Sequence, residues 1–72
     1  MKKRSIRING HATSVSLEDA FWDELRSMAE ERGQTVPALI AELDQQRTGN
    51  NLSSALRLAV LDHLRTKAGL SE

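Results

Sequence analysis

The sequence predicts a mainly α-helical fold with one N-terminal β-strand, and three observations carry that prediction. Thr13, Val15 and Leu17 alternate with Ser14 and Ser16, the period of a half-buried strand, and straight afterwards Phe21, Trp22, Leu25, Met28 and Ala29 take up the three- and four-residue spacing of an amphipathic helix. Helix stop and start signals follow in order: Gly33, then Thr35 with Pro37, then Gly49 and Asn51. The last segment, Leu52 to Leu64, is apolar over far more than one narrow stripe, as a helix buried on more than one side would be.

At the N-terminus, MKKRS reads as a basic arm, so residues 1–11 form an arm with a possible short strand and residues 12–72 the folded domain. Ile6 and Ile8 place apolar residues at even positions, whereas Thr13, Val15 and Leu17 place them at odd ones. Strand side chains alternate strictly, so the change of parity across Asn9-Gly10 needs a turn or an extra residue. Asn-Gly supplies the positive φ angles of a tight hairpin, and a bulge at Gly10 fits equally. The shortness of the segment before it favours a bulge or kink.

The first helix is expected from Glu18 or Asp19 to Arg32. Glu18, Asp19, Asp23 and Glu24 put negative charge where the helix dipole favours it, and Gly33 ends it as a C′ glycine. Trp22 on its apolar stripe reads as core. Thr35 is a good N-cap for a second helix, and Pro37 falls in its first turn, where a missing N–H costs nothing. Leu39, Ile40 and Leu43 form its stripe, and RTGNN is a turn by composition. Asn51 caps a third helix from about Leu52 to Lys67, with Arg65 and Lys67 near its C-terminal end.

With 72 residues and no cysteine, the chain is one small domain without disulfide or thiolate-metal support. A lone strand has nothing to pair with, and the third helix is too apolar for one small monomer, so a second copy is expected to complete the core. The net charge of zero hides an asymmetry: residues 1–17 carry +4 and no acid, and residues 18–72 carry −4. A basic arm on an acidic body suits contact with a polyanion. The catalytic inventory is thin. His11 and His63 belong to no metal-binding pattern, no glycine-rich loop joins a strand to a helix, and Ser14 and Ser16 have no base beside them. An enzyme, a cofactor and a metal are therefore not expected. No apolar run is long enough to span a membrane and nothing reads as a signal peptide, so the expected location is cytoplasmic.

The order of basic arm, strand, helix, glycine and capped helix in TSVSLEDAFWDELRSMAEERGQTVPALIAEL, residues 13–43, resembles the ribbon-helix-helix family of bacterial DNA-binding proteins. With INGHATSVSLE and NLSSALRLAVL, the chain looks like a small bacterial subfamily with an added third helix. The resemblance implies an intertwined homodimer whose strands pair across a two-fold axis as an intersubunit antiparallel two-stranded ribbon. Thr13, Val15, Leu17 and Trp22 would then face the dimer core, and Ala12, Ser14 and Ser16 would face the base edges of double-stranded DNA in the major groove. Lys2, Lys3, Arg4, Arg7 and His11 would meet the DNA backbone from the arm, and the start of the second helix at Thr35 and Val36 would hold a phosphate, a role with an independent basis in the free N–H groups of a helix start.

Family readers often carry long polar side chains, whereas Ala12, Ser14 and Ser16 are short; Arg7 and His11 can compensate. NLSSALRLAVL also looks like the family's second helix, with residues 34–50 then an insertion, but the distance from Leu17 to Thr35 matches without one. The leading function is a transcriptional repressor. The alternative is a protein-interaction module, antitoxin-like or an adaptor dimer, with weak or no DNA reading. A monomeric helix-turn-helix protein is disfavoured, because neither later helix carries the basic readers it would need before Arg47 or, apart from Arg57, before its last turn.

Overall fold

A computed structural model describes residues 1–47, 49 and 51–69. The chain runs β1 (Lys2–Ile8), β2 (His11–Leu17), α1 (Asp19–Glu31), α2 (Val36–Gln45) and α3 (Leu52–Lys67). The two strands form an antiparallel hairpin in which Lys2 faces Leu17 and Ile8 faces His11. Asn9 and Gly10 have φ of +49° and +86°, the two positive angles that define the tight turn whose twist matches paired strands. The parity change in the sequence is therefore a hairpin turn and not a bulge. Two further expectations change with it. Among the described residues there are two strands rather than one, and the basic arm is itself β1, so β2 has an antiparallel partner within its own chain.

The helix boundaries follow local chemistry. Gln34 N–H donates to the Ala29 carbonyl at 2.8 Å and Gly33 N–H to that of Glu30 at 3.2 Å, the paired bonds of a glycine-terminated helix end, with Gly33 at φ +67°. Thr35 caps α2 by accepting the Ala38 N–H at 3.2 Å, and Asn51 caps α3 by accepting that of Ser54 at 2.8 Å. Part of the turn expected over 47–51 lies outside the described residues.

The inner face of the hairpin packs on the helices, with α2 against β1 and α3 against β2. Ile8, Val15 and Leu17 join Trp22, Leu25, Met28, Leu39, Ile40, Leu56 and Val60 in one core. Burying each large apolar side chain here contributes about 1.5–3 kcal/mol. Val15, Leu17 and Trp22, expected in a core shared by two copies, are thus already buried by their own chain, and Thr13 is half-buried. The reason is geometric: β1 supplies the missing neighbour strand, and α2 and α3 roof the sheet.

Helices α1 and α3 run side by side in the same direction. Near their starts the Arg57 guanidinium grips the Glu18 carboxylate with two bonds of 3.1 and 3.3 Å. At their ends Lys67 donates to Glu31 at 2.8 Å. Helix α2 returns toward the hairpin turn, where the Asn9 side chain donates to Asp44 at 3.3 Å.

Candidate nucleic-acid interface

Directly opposed residues of an antiparallel pair share one face of the sheet. The register therefore sorts the hairpin into two sets. Ile6, Ile8, Thr13, Val15 and Leu17 face the helices together with Lys2, Arg4 and His11, while Lys3, Ser5 and Arg7 share the outer face with Ala12, Ser14 and Ser16. Each outer residue of β1 faces one of β2: Lys3 opposite Ser16, Ser5 opposite Ser14, Arg7 opposite Ala12. The short outward residues of β2 are thus accompanied by two long cationic side chains from β1. Equal strand lengths about an Asn-Gly turn, with parity counted from it, were the signal that could have found this pairing.

Trp22 explains how β1 accommodates cations on its inner side. Its buried indole N–H donates to the Lys2 carbonyl at 2.8 Å, and the Arg4 guanidinium lies over the ring at 5.2 Å from its centroid. A guanidinium on an indole face is an attractive arrangement, so Arg4 covers the tryptophan where an apolar residue would otherwise be needed. Lys2, Arg4 and His11, expected to meet a DNA backbone with Lys3 and Arg7, are on the helix side of the sheet, although all three are exposed.

The charges divide as sharply. Arg26, Arg32, Arg47, Arg57 and Lys67 each pair with a carboxylate: Asp23, Glu42, Asp44, Glu18 and Glu31 respectively. Among the described residues, Lys3 and Arg7 form no ion pair, and residues 1–17 contain no acid. The nearest carboxylate in sequence, Glu18, is held below its ordinary range by its own backbone N–H and then by Arg57. It is therefore committed to α3 rather than to the outer face.

The two candidate helix starts lie in different surroundings. Ser53, in the first turn of α3, donates its hydroxyl to the Ser16 carbonyl at 3.3 Å, which sets that helix start beside β2. Thr35 follows the end of α1, and among the described residues no hydrogen bond joins Thr35 or Val36 to the hairpin. Thr35 is exposed and Val36 half-buried. The structure thus gathers Lys3, Ser5, Arg7, Ala12, Ser14 and Ser16 on one face with the start of α3 at its edge, and sets Thr35 apart.

Among the described residues, no group of three or more His, Asp or Glu side chains is placed to hold a metal ion, and no helix is long and apolar enough to cross a membrane. A family model described as a ribbon-helix-helix domain matches residues 1–64. Among curated proteins and among solved structures, no significant match is found.

Proposed function

The chain belongs to the ribbon-helix-helix family, and from that premise we propose that it is a homodimeric repressor of transcription that presents the outer face of its hairpin to the major groove of double-stranded DNA. Members of the family are typically non-enzymatic regulators that form dimers and bind DNA. The observation that supports the reading best is the outer face itself: two cations without carboxylate partners and three serine hydroxyls on a two-stranded ribbon. Such a ribbon fits the major groove, where Arg and Lys pair with guanine, serine hydroxyls accept or donate to several bases, and an alanine methyl meets thymine.

Within this reading Arg7, Ser14 and Ser16 contact base edges, Ala12 offers apolar contact, and Lys3 contacts a base or a phosphate. The phosphate role first expected at Thr35 and Val36 fits the start of α3 better, because Ser53 ties that helix end to the ribbon and free N–H groups there favour an anion. Lys2 and Arg4 add to the positive field without touching bases, and His11 lies on the same inner side of the sheet.

Ser14→Glu tests the proposal. Ser14 is exposed and sits diagonally between Lys3 and Arg7 across the ribbon. A carboxylate there leaves the core intact, occupies both cations and repels phosphate. Affinity for duplex DNA should fall to background while the melting temperature stays within a few degrees. Unchanged DNA binding would remove the outer face from the interface. The alternative, a protein-interaction module, draws on a different feature, the exposed leucines of α3.

A further inference from the structure

The tight turn that joins β1 to β2 carries a reactive pair as well as a conformation. Of Asn9, Asn50 and Asn51, only Asn9 precedes a glycine; the other two precede Asn51 and Leu52. A backbone nitrogen that attacks the preceding asparagine amide is hindered by a side chain on its own residue, and glycine has none. The surroundings leave the attack open as well. Asn9 and Gly10 are exposed, no atom lies within 4 Å of where a Gly10 Cβ would stand, and among the described residues the Gly10 N–H has no acceptor. What restrains Asn9 is its side chain, whose Nδ2 donates to Asp44 Oδ2 at 3.3 Å, just beyond the usual range for such a bond. We propose that Asn9 is a site of spontaneous deamidation, its pace set by the bond to Asp44, and that the change disables the Arg7 end of the ribbon; the consequence for DNA rests on the reading above, whereas the chemistry does not.

Once its side chain leaves Asp44, Asn9 can present Cγ to the Gly10 nitrogen. The N–Cγ bond forms and the nitrogen gives up its proton. The Cγ–Nδ2 bond breaks, Nδ2 leaves as ammonia, and a cyclic imide remains. Water then opens the imide on either side. One opening leaves aspartate in place of the asparagine. An Asp-Gly pair still suits the tight turn, but the donor to Asp44 is gone and two like charges now face each other. The other opening leaves isoaspartate, in which the main chain runs through Cβ and Cγ. The turn then contains an extra backbone atom and no longer fits the register that sets Ile8 opposite His11 and Arg7 opposite Ala12. Both products also add a negative charge to residues 1–17, a segment that holds no acid, at the end of the ribbon where Arg7 stands.

The test ages the full chain in warm, mildly alkaline buffer. Peptide mapping by mass spectrometry should show the amide-to-acid mass gain at Asn9 while Asn50 and Asn51 stay intact, and an isoaspartyl methyltransferase should label the aged chain. Asp44→Ala frees the Asn9 amide and should age faster than the wild type. Asn9→Gly keeps a pair that suits the turn and should gain no acid there. The aged wild type should melt below fresh Asn9→Asp, because only isoaspartate lengthens the turn. Its affinity for a labelled duplex should fall in step with the modified fraction, while aged Asn9→Gly keeps its own. A wild type whose Asn9 lasts as long as Asn51 overturns the proposal. An Asp44→Ala chain that ages no faster overturns the part given to the Asp44 bond. Modification that leaves both melting temperature and DNA affinity unchanged overturns the disabling of the ribbon. Fresh wild type that binds no duplex overturns the DNA reading instead, and mapping and melting temperature then decide the modification alone.

Discussion

Replacing Lys3 and Arg7 together by alanine separates DNA contact from folding more cleanly than any other change in this chain. Among the described residues neither side chain touches a carboxylate or an aromatic ring, and both are exposed. Stability should therefore move by less than about 0.5 kcal/mol, the usual range for such surface sites. That corresponds to under about 4 °C in melting temperature for a domain of this size. The DNA effect is larger. If each cation neutralises one phosphate, its loss lowers the salt slope of log K by about 0.9. Lys3 of two chains on phosphate gives a change of about 1.8, or about one order of magnitude between roughly 50 and 200 mM salt, and the loss of Arg7 from the base edges lowers affinity further. Fluorescence anisotropy of a labelled duplex over a salt series reads the slope. Arg57→Ala is the control: its guanidinium is engaged with Glu18, so it should lower stability slightly, as an exposed pair does, and leave the slope unchanged. A double variant with the wild-type slope, or an Arg57→Ala slope that falls as far, would refute the division of cations into free and committed sets.

Trp22→Phe keeps an aromatic ring in the core but loses the donor to the Lys2 carbonyl. It should cost about 1 kcal/mol, read as a fall of about 4–8 °C in melting temperature, and an unchanged value would mean that Trp22 does not clamp β1. Gly10→Ala meets no atom within 4 Å but must hold φ of +86°, so chemical denaturation should show a loss of about 1–2 kcal/mol from backbone strain alone; a neutral result would mean that the turn changes type. The tether between Glu31 and Lys67 should respond to pH at both extremes. Glu31 is held below its ordinary range by the Lys67 hydrogen bond, so its contribution is present above the usual glutamate value of about 4.3 and is lost as pH falls through the lowered one. Lys67 is raised by the same bond, so its contribution is present below the usual lysine value of about 10.4 and is lost as pH rises through the raised one. Amide signals at the end of α3 should shift at both limits in the wild type, and Glu31→Gln should abolish both responses.

The helices were legible because their boundaries are set by local chemistry. Gly33, Thr35 and Asn51 fix ends through bonds to residues three to five positions away, so sequence order alone carries the information. The alternation at Thr13, Val15 and Leu17 likewise gave the buried side of β2. What was not legible was β1. KKRS reads as a solvated tail because Lys2 and Arg4 occupy the positions that face inward, where apolar residues would announce a strand. The residue that makes those positions tolerable, Trp22, lies twenty positions beyond Lys2 and does so through contacts that no local pattern encodes. Missing β1 had a second consequence: β2 was left without the partner that its own chain supplies. The start of α3 was legible, with Asn51 as its cap, but its place beside the ribbon was not. Counting from Leu17 favoured Thr35, but the hydroxyl of Ser53 reaches β2 only because α3 folds back alongside α1.

The same tryptophan connects the core to the proposed DNA contact. Strand parity means that adjacent basic residues cannot serve one face. By holding the Lys2 carbonyl and stacking on Arg4, Trp22 fixes which of the four β1 cations are drawn toward the helices and which project outward. The two that project sit at opposite ends of the ribbon. Lys3 faces Ser16, beside the start of α3, where N–H groups and a flexible ammonium both suit phosphate, which positions a protein without reading sequence. Arg7 faces Ala12 next to the turn, where a small neighbour leaves the guanidinium free to lie flat against a base pair. Only Arg7 can make the bidentate contact to guanine that carries strong discrimination; the serines between are short and permissive. In the proposed complex, sequence preference should therefore concentrate under the hairpin turns, and affinity without preference under the opposite end. Arg7→Lys, which keeps the charge but loses the planar fork, should accordingly flatten the preference among duplexes while leaving the salt slope where it was.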